Sequence, residues 1–103
     1  MGVLIDETLQ LASKKFADFG FKEEQVEQLL LSGKKDLEKE IEKLRVLIEE
    51  DGVDIGRVND CLHALKGLLY NMGNISAGDK MNELRNEKNS IDEIAEIKKI
   101  LSI

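Results

Sequence analysis

The chain has 103 residues, 42% of them hydrophobic and 35% charged, with a formal net charge of −6, one cysteine, one histidine and neither proline nor tryptophan. That length suits one domain, 1–103, and an acidic surface repels the nucleic-acid backbone, so neither DNA nor RNA is an expected partner. No apolar run approaches the roughly 20 residues that span a bilayer, no basic-then-apolar signal pattern opens the chain, and one Cys61 with one His63 makes neither an internal disulfide nor a thiolate–imidazole zinc site, which together predict a cytoplasmic, metal-free domain.

The pattern is helical from end to end, because nothing interrupts long helical runs and β-branched strand clusters are scarce. Asp6 is a candidate cap for a first helix that carries Leu9, Ala12, Phe16 and Phe19 and runs into Gly20. A short helix is expected from about Lys22, with Val26, Leu29 and Leu30 apolar, and Ser32-Gly33 reads as its stop. These residues form an N-terminal segment, 1–33. The next helix, about 35–50, has the clearest period: Leu37, Ile41, Leu44 and Ile48 make one apolar stripe, widened by Leu47. Asp36, Lys39, Glu40, Glu42, Lys43 and Arg45 supply opposite-charge pairs on its wet side, which is the ordinary dress of a solvated face.

Asp51-Gly52 breaks the chain, and Asp54 can cap the following helix. Gly73 ends that helix and Asn74 can start the next, so the two arms fold back as an antiparallel hairpin, 54–88. The second arm offers Ala77, Met81 and Leu84 on one side. Ser90 with Glu93 reads as a capping box opening a last helix with Ile94, Ile97 and Leu101 inward.

His63 stands on the first arm. At about 100° per residue, Val58, Leu62, Leu65 and Leu69 cluster on one side of this helix, and His63 points well away from them. Asn59, Lys66 and Tyr70 share its broad face, and Gly67 lies beside it one turn on. Periodicity therefore predicts an exposed imidazole. Its nitrogen is a competent nucleophile at neutral pH. Lys66 can reach over one turn to neutralise an attached phosphoryl group. Gly67 costs the helix about 1 kcal/mol relative to Ala, a cost that makes sense where a side chain would block a partner. A surface histidine, a lysine three residues on and a glycine that permits close packing are each ordinary alone; their joint spacing is what points to phosphate acceptance.

The run His63-Ala64-Leu65-Lys66-Gly67, with Gly73 ten residues after the histidine, resembles the signature of histidine-containing phosphotransfer (HPt) domains. Asp54 and Val58 upstream, and Leu84 on the second arm, match the acidic and aliphatic positions of that pattern. The motif region covers about 54–85, and the layout of 35–103 is compatible. The resemblance implies an all-α, up-and-down antiparallel four-helix bundle over 35–103, with a short additional N-terminal helix or helices. It implies a phosphorelay intermediate that takes a phosphoryl group on His63 from a phospho-aspartate receiver domain and passes it to another. Lys66 would neutralise phosphoryl charge, Gly67 would give steric access and Gly73 would be structural. Asn59, Tyr70, Asn71 and Arg85 would contact partners, with Tyr70 either an exposed interface anchor or half-buried against a neighbouring helix. The partners implied are response-regulator receiver domains and a hybrid histidine kinase, with the domain itself a monomer. Mg²⁺ would belong to the receiver, and the domain would carry no cofactor or nucleotide site. The alternatives are a non-catalytic helical adaptor that binds a receiver and the His-bearing domain of a chemotaxis-type histidine kinase.

The chain departs from the family pattern in two places. Leu68 and Leu69 follow Gly67 where small residues are usual, and Ala77-Gly78 stand across the hairpin where a large aliphatic is common, which suggests a large-for-small exchange at constant volume. Arg85 stands where the family usually has Gln or Glu bonded to the ring nitrogen that is not phosphorylated. Arginine has no acceptor for a ring N–H. Contact with phosphoryl oxygens, simple solvation, and replacement by Glu83 or Asp79 as the orienting residue are the readings left open.

Overall fold

The computed structural model describes residues 2–85 and 90–101, the side chains of 90–93 and 101 excepted. Every element among them is a helix: α1 Gly2–Asp18, α2 Glu23–Glu49, α3 Ile55–Asn71, α4 Ile75–Arg85 and α5 Ser90–Leu101. None is long and apolar enough to cross a membrane. The five pack together, α3 lying mainly against α4 and α2, α1 against α2, and α5 against α2 and α4.

The helix starts and stops have local causes. α1 ends where Gly20 takes φ 86°. Gly20 N–H donates to Ala17 O at 3.0 Å and Phe21 N–H to Phe16 O at 3.2 Å. These two bonds satisfy carbonyls left over by the helix, and glycine takes the left-handed conformation without a Cβ penalty. Phe16 and Phe21 meet edge to face at 6.1 Å, the apolar contact that accompanies such a stop. At the start of α2 the Gln25 Oε1 accepts the Lys22 N–H at 3.0 Å. This is only the return half of a capping box, because a lysine side chain has nothing to accept with.

Three expectations are corrected here. Asp6 does not cap α1: the helix is already formed at Gly2, and Asp6 lies exposed inside it. The N-terminal helix is also not short. Ser32-Gly33 does not stop the second helix, which runs unbroken through both residues, so the boundary expected between 1–33 and 35–103 falls inside α2. A mid-helix glycine costs about 1 kcal/mol but does not end a helix that tertiary contacts hold. At Gly33 the contact is Met72: a Cβ there would stand 2.5 Å from its Cε and 2.8 Å from its Sδ. The missing side chain is the seat of Met72, and the signal was read as punctuation. The Ser90–Glu93 capping box and the inward place of Leu101 lie outside the described residues.

The stripes expected along the second half of α2 and along α3 hold, whereas Phe19 and Leu29 nearer the N-terminus are exposed. Leu37, Ile41, Leu44 and Ile48 of α2 are buried against Val58, Leu62, Leu65 and Leu69 of α3, with Met81 and Leu84 of α4 and Ile97 of α5 closing the core. Each such side chain, fully buried, stabilises the fold by about 1.5–3 kcal/mol. Cys61 is buried at the edge of this core, and burial, with Glu40 and Asp60 nearby, pushes its thiol above the usual range.

Candidate functional site

The helix that carries His63 is fixed at both ends. Asp54 caps it: Oδ1 accepts the Arg57 N–H at 3.3 Å, and Oδ2 lies 3.6 Å from Arg57 Nε. At the other end Gly73 has φ 84°. Gly73 N–H donates to Tyr70 O at 3.0 Å and Asn74 N–H to Leu69 O at 2.8 Å, the two bonds of a Schellman stop. Asn74 then starts α4, its Oδ1 accepting the Ala77 N–H at 3.2 Å. Its Nδ2 donates to Thr8 Oγ1 at 2.8 Å, and Thr8 in turn donates to Leu4 O at 2.7 Å, so a buried polar link joins α1 to the hairpin turn. Lys15 of α1 adds its ammonium to the carbonyls of Asn71 at 2.9 Å and Tyr70 at 3.4 Å, where the helix dipole favours a cation.

Between these anchors the core side of α3 sets what faces out. Val58, Leu62, Leu65 and Leu69 are completely buried, and His63, one residue past Leu62, is exposed. His63 makes no hydrogen bond to a described residue. Lys66, one turn on, is half-buried and donates to Asn82 Oδ1 of α4 at 3.4 Å. Its ammonium is thus held on the α4 side of the histidine. Gly67 is exposed, and a Cβ built there meets nothing within 4 Å. Beside it lies an open hollow of about 380 Å³ toward α2, lined by Asp36, Lys39, Glu40, Ala64, Leu68 and Asn71.

The remaining expected contacts sort differently. Tyr70 is half-buried across the hairpin rather than displayed: its hydroxyl donates to Asp79 Oδ1 at 2.5 Å. The hydrogen bond to Asp79 pushes the Tyr70 hydroxyl above its usual pKa. The Tyr70 ring occupies the space over Gly78, where a Cβ would collide with its edge. Asn71 is exposed, its backbone carbonyl taken by Lys15. Asn59 and Arg85 are half-buried, and their Oδ1 and Nε atoms are buried with no hydrogen-bond partner among the described residues.

Two of the departures can be placed. Leu68 lines the α2 hollow and Ala77 a separate hollow with Leu4 and Glu7 of α1, so these two do not share one space, while Leu69 is fully buried in the core. The small residue on α4 that matters is Gly78, and the large one it admits is Tyr70. Asp79 bonds Tyr70 across the hairpin, about two turns from the histidine, which places it away from the ring rather than beside it. Asn82 escaped the sequence reading; its signal was only the antiparallel register, which brings it beside Lys66. No family model, curated protein or solved structure matches this chain.

Proposed function

We propose that the chain is a phosphorelay intermediate and that His63 is its phosphoacceptor. The observation that carries the reading is Gly67. A glycine in mid-helix costs about 1 kcal/mol, and no described residue occupies the space its side chain would take. Gly33 and Gly78 each admit a neighbouring side chain; Gly67 admits only something from outside, directly beside an exposed imidazole. The ammonium of Lys66 lies one turn away, held by Asn82.

In the proposed step a receiver domain docks its phospho-aspartate over His63. The Nε2 lone pair forms the N–P bond in line as the P–O bond to the aspartyl oxygen breaks, and the electron pair leaves with the carboxylate. Transfer to a second receiver is the reverse: carboxylate attacks phosphorus and the N–P bond breaks. The receiver supplies Mg²⁺ and most of the transition-state electrostatics, while this domain supplies a positioned nucleophile and the Lys66 charge. The domain is a phosphocarrier without its own nucleotide site, and it works in the cytoplasm. In this reading the C-terminal half of α2 forms an up-and-down four-helix bundle with α3, α4 and α5, extended at one end by α1 and the first half of α2.

The test is phosphorylation of the purified protein by acetyl-phosphate-charged receivers, with His63→Gln beside the wild type. Acid-labile, base-stable label on the wild type alone is the expected result. Receivers that bind but pass no label would overturn the relay and leave a helical adaptor.

A further inference from the structure

The hairpin register fixes what stands across from His63. Lys66 bonds Asn82 across the pair. One turn back from Lys66 is His63, and one turn on from Asn82 is Arg85, so the antiparallel arms bring Arg85 opposite the histidine. Helical side chains lean toward the N-terminus, and the ring of His63 therefore leans over the turn that holds Asn59. Residues four apart have Cβ atoms about 5–6 Å from each other, within reach of a hydrogen bond between a carboxamide and an imidazole.

Both neighbours carry an unmatched buried atom of opposite kind. Among the described residues, Asn59 Oδ1 is an acceptor without a donor, and Arg85 Nε–H is a donor without an acceptor. A buried polar group without a partner is costly and is uncommon in a settled interior. His63 lacks a matching pair of partners. To attack through Nε2 it must keep its proton on Nδ1, and that N–H calls for an acceptor. Once phosphorylated, it presents anionic oxygens that call for donors. Arg85 cannot accept the ring proton, Asp79 bonds Tyr70 about two turns away, and Glu83 lies exposed on the α1 side of α4, lining a hollow with Leu4 and Glu7.

We infer that the two tasks are divided between the helices: Asn59 Oδ1 accepts the Nδ1–H of the ring and keeps Nε2 outward, and Arg85 gives its Nε–H to an oxygen of the phosphoryl group. The inference rests on the phosphoacceptor reading above. Asn59 is a positioning residue and Arg85 a phosphoryl ligand. With Lys66 from α3 and Arg85 from α4, the phosphoryl charge meets a cation from each arm of the hairpin. An arginine at this position then exchanges ring orientation for charge neutralisation, and orientation passes to the same helix as the histidine.

The experiment uses nitrogen-15-labelled full chain and potassium phosphoramidate, a small phosphoryl donor that needs no receiver. Before phosphorylation, NMR of the ring nitrogens is expected to show the Nδ1–H tautomer in the wild type and in Asn59→Asp, which keeps an acceptor. Asn59→Ala is expected to move the population to Nε2–H. After phosphorylation the Arg85 Nε–H signal is expected to move downfield, and to stay in place in His63→Gln given the same reagent. A wild-type ring protonated on Nε2 overturns the inference without any variant. So does an Arg85 signal unmoved in a fully phosphorylated sample, or an unchanged tautomer in Asn59→Ala that melts as a folded protein. Receiver transfer is measured separately, so a failed relay with these signatures intact removes the function and leaves the residue roles standing.

Discussion

Two stretches of the same hairpin, its turn and its middle, are built on opposite terms. At the turn the polar groups are matched: Asn74 bonds Thr8 and Ala77, Thr8 bonds Leu4, Lys15 bonds the last carbonyls of α3, and Gly73 closes the stop. In the middle, among the described residues, His63 has no hydrogen bond, Asn59 Oδ1 and Arg85 Nε have no partner, and nothing stands where a Cβ on Gly67 would be. An unmatched buried polar atom costs about 1–3 kcal/mol. The turn therefore stabilises the pair of helices, and the middle leaves polar groups unmatched at a cost to that stability.

The contrast predicts opposite responses to similar substitutions. Asn74→Ala removes the cap of α4 and takes away the donor to the buried Thr8 oxygen, which keeps only its bond to Leu4 O, and should cost about 2–4 kcal/mol in urea denaturation. An unaffected midpoint would show that the polar link between α1 and the turn contributes nothing. Gly73→Ala forces a side chain into a left-handed residue and should cost about 1–2 kcal/mol. Gly67→Ala should go the other way. With no neighbour to strike, the new methyl group should stabilise by about 1 kcal/mol and raise the melting temperature, while phosphoryl transfer from receivers falls. A Gly67→Ala protein that is more stable and equally active would remove the argument that the gap exists for a partner.

Much of this was legible in the chain, and the parts that were not share a cause. The stripe Leu37, Ile41, Leu44, Ile48 and its counterpart Val58, Leu62, Leu65, Leu69 follow from helical period alone, and all eight are buried. The exposure of His63 follows from the same period, because a residue one step past a core position is turned well away from the core. Caps at Asp54, Gly73 and Asn74 were legible because each rests on one local conformation. Glycines without such a conformation misled. Ser32-Gly33 reads as a stop only if Met72, distant in sequence, is ignored, and Gly78 acquires meaning only when Tyr70 is seen to fill it. Asn82 and the unmatched atoms of Asn59 and Arg85 likewise depend on the register between two helices, which periodicity within one helix does not contain.

Tyr70 gives the smallest effect and the finest probe of where the matched region ends. It is the one tyrosine of the chain, so its ionisation can be followed by ultraviolet absorbance without interference. Its hydrogen bond to Asp79 holds the hydroxyl above the ordinary value of 10.0, which favours the neutral form in the folded state. The sign of the linkage follows: the bond's contribution to stability is complete below the unfolded-state value and is lost as pH rises through the higher folded-state value. Asp79→Asn should bring the titration back toward the ordinary value, and Tyr70→Phe should lower the melt slightly near neutral pH, where the bond is intact, and abolish the further alkaline loss of stability. A tyrosine that titrates identically in wild type and Asp79→Asn would mean the hydroxyl is free, and the unmatched surface around His63 would then extend a further two turns toward the hairpin turn.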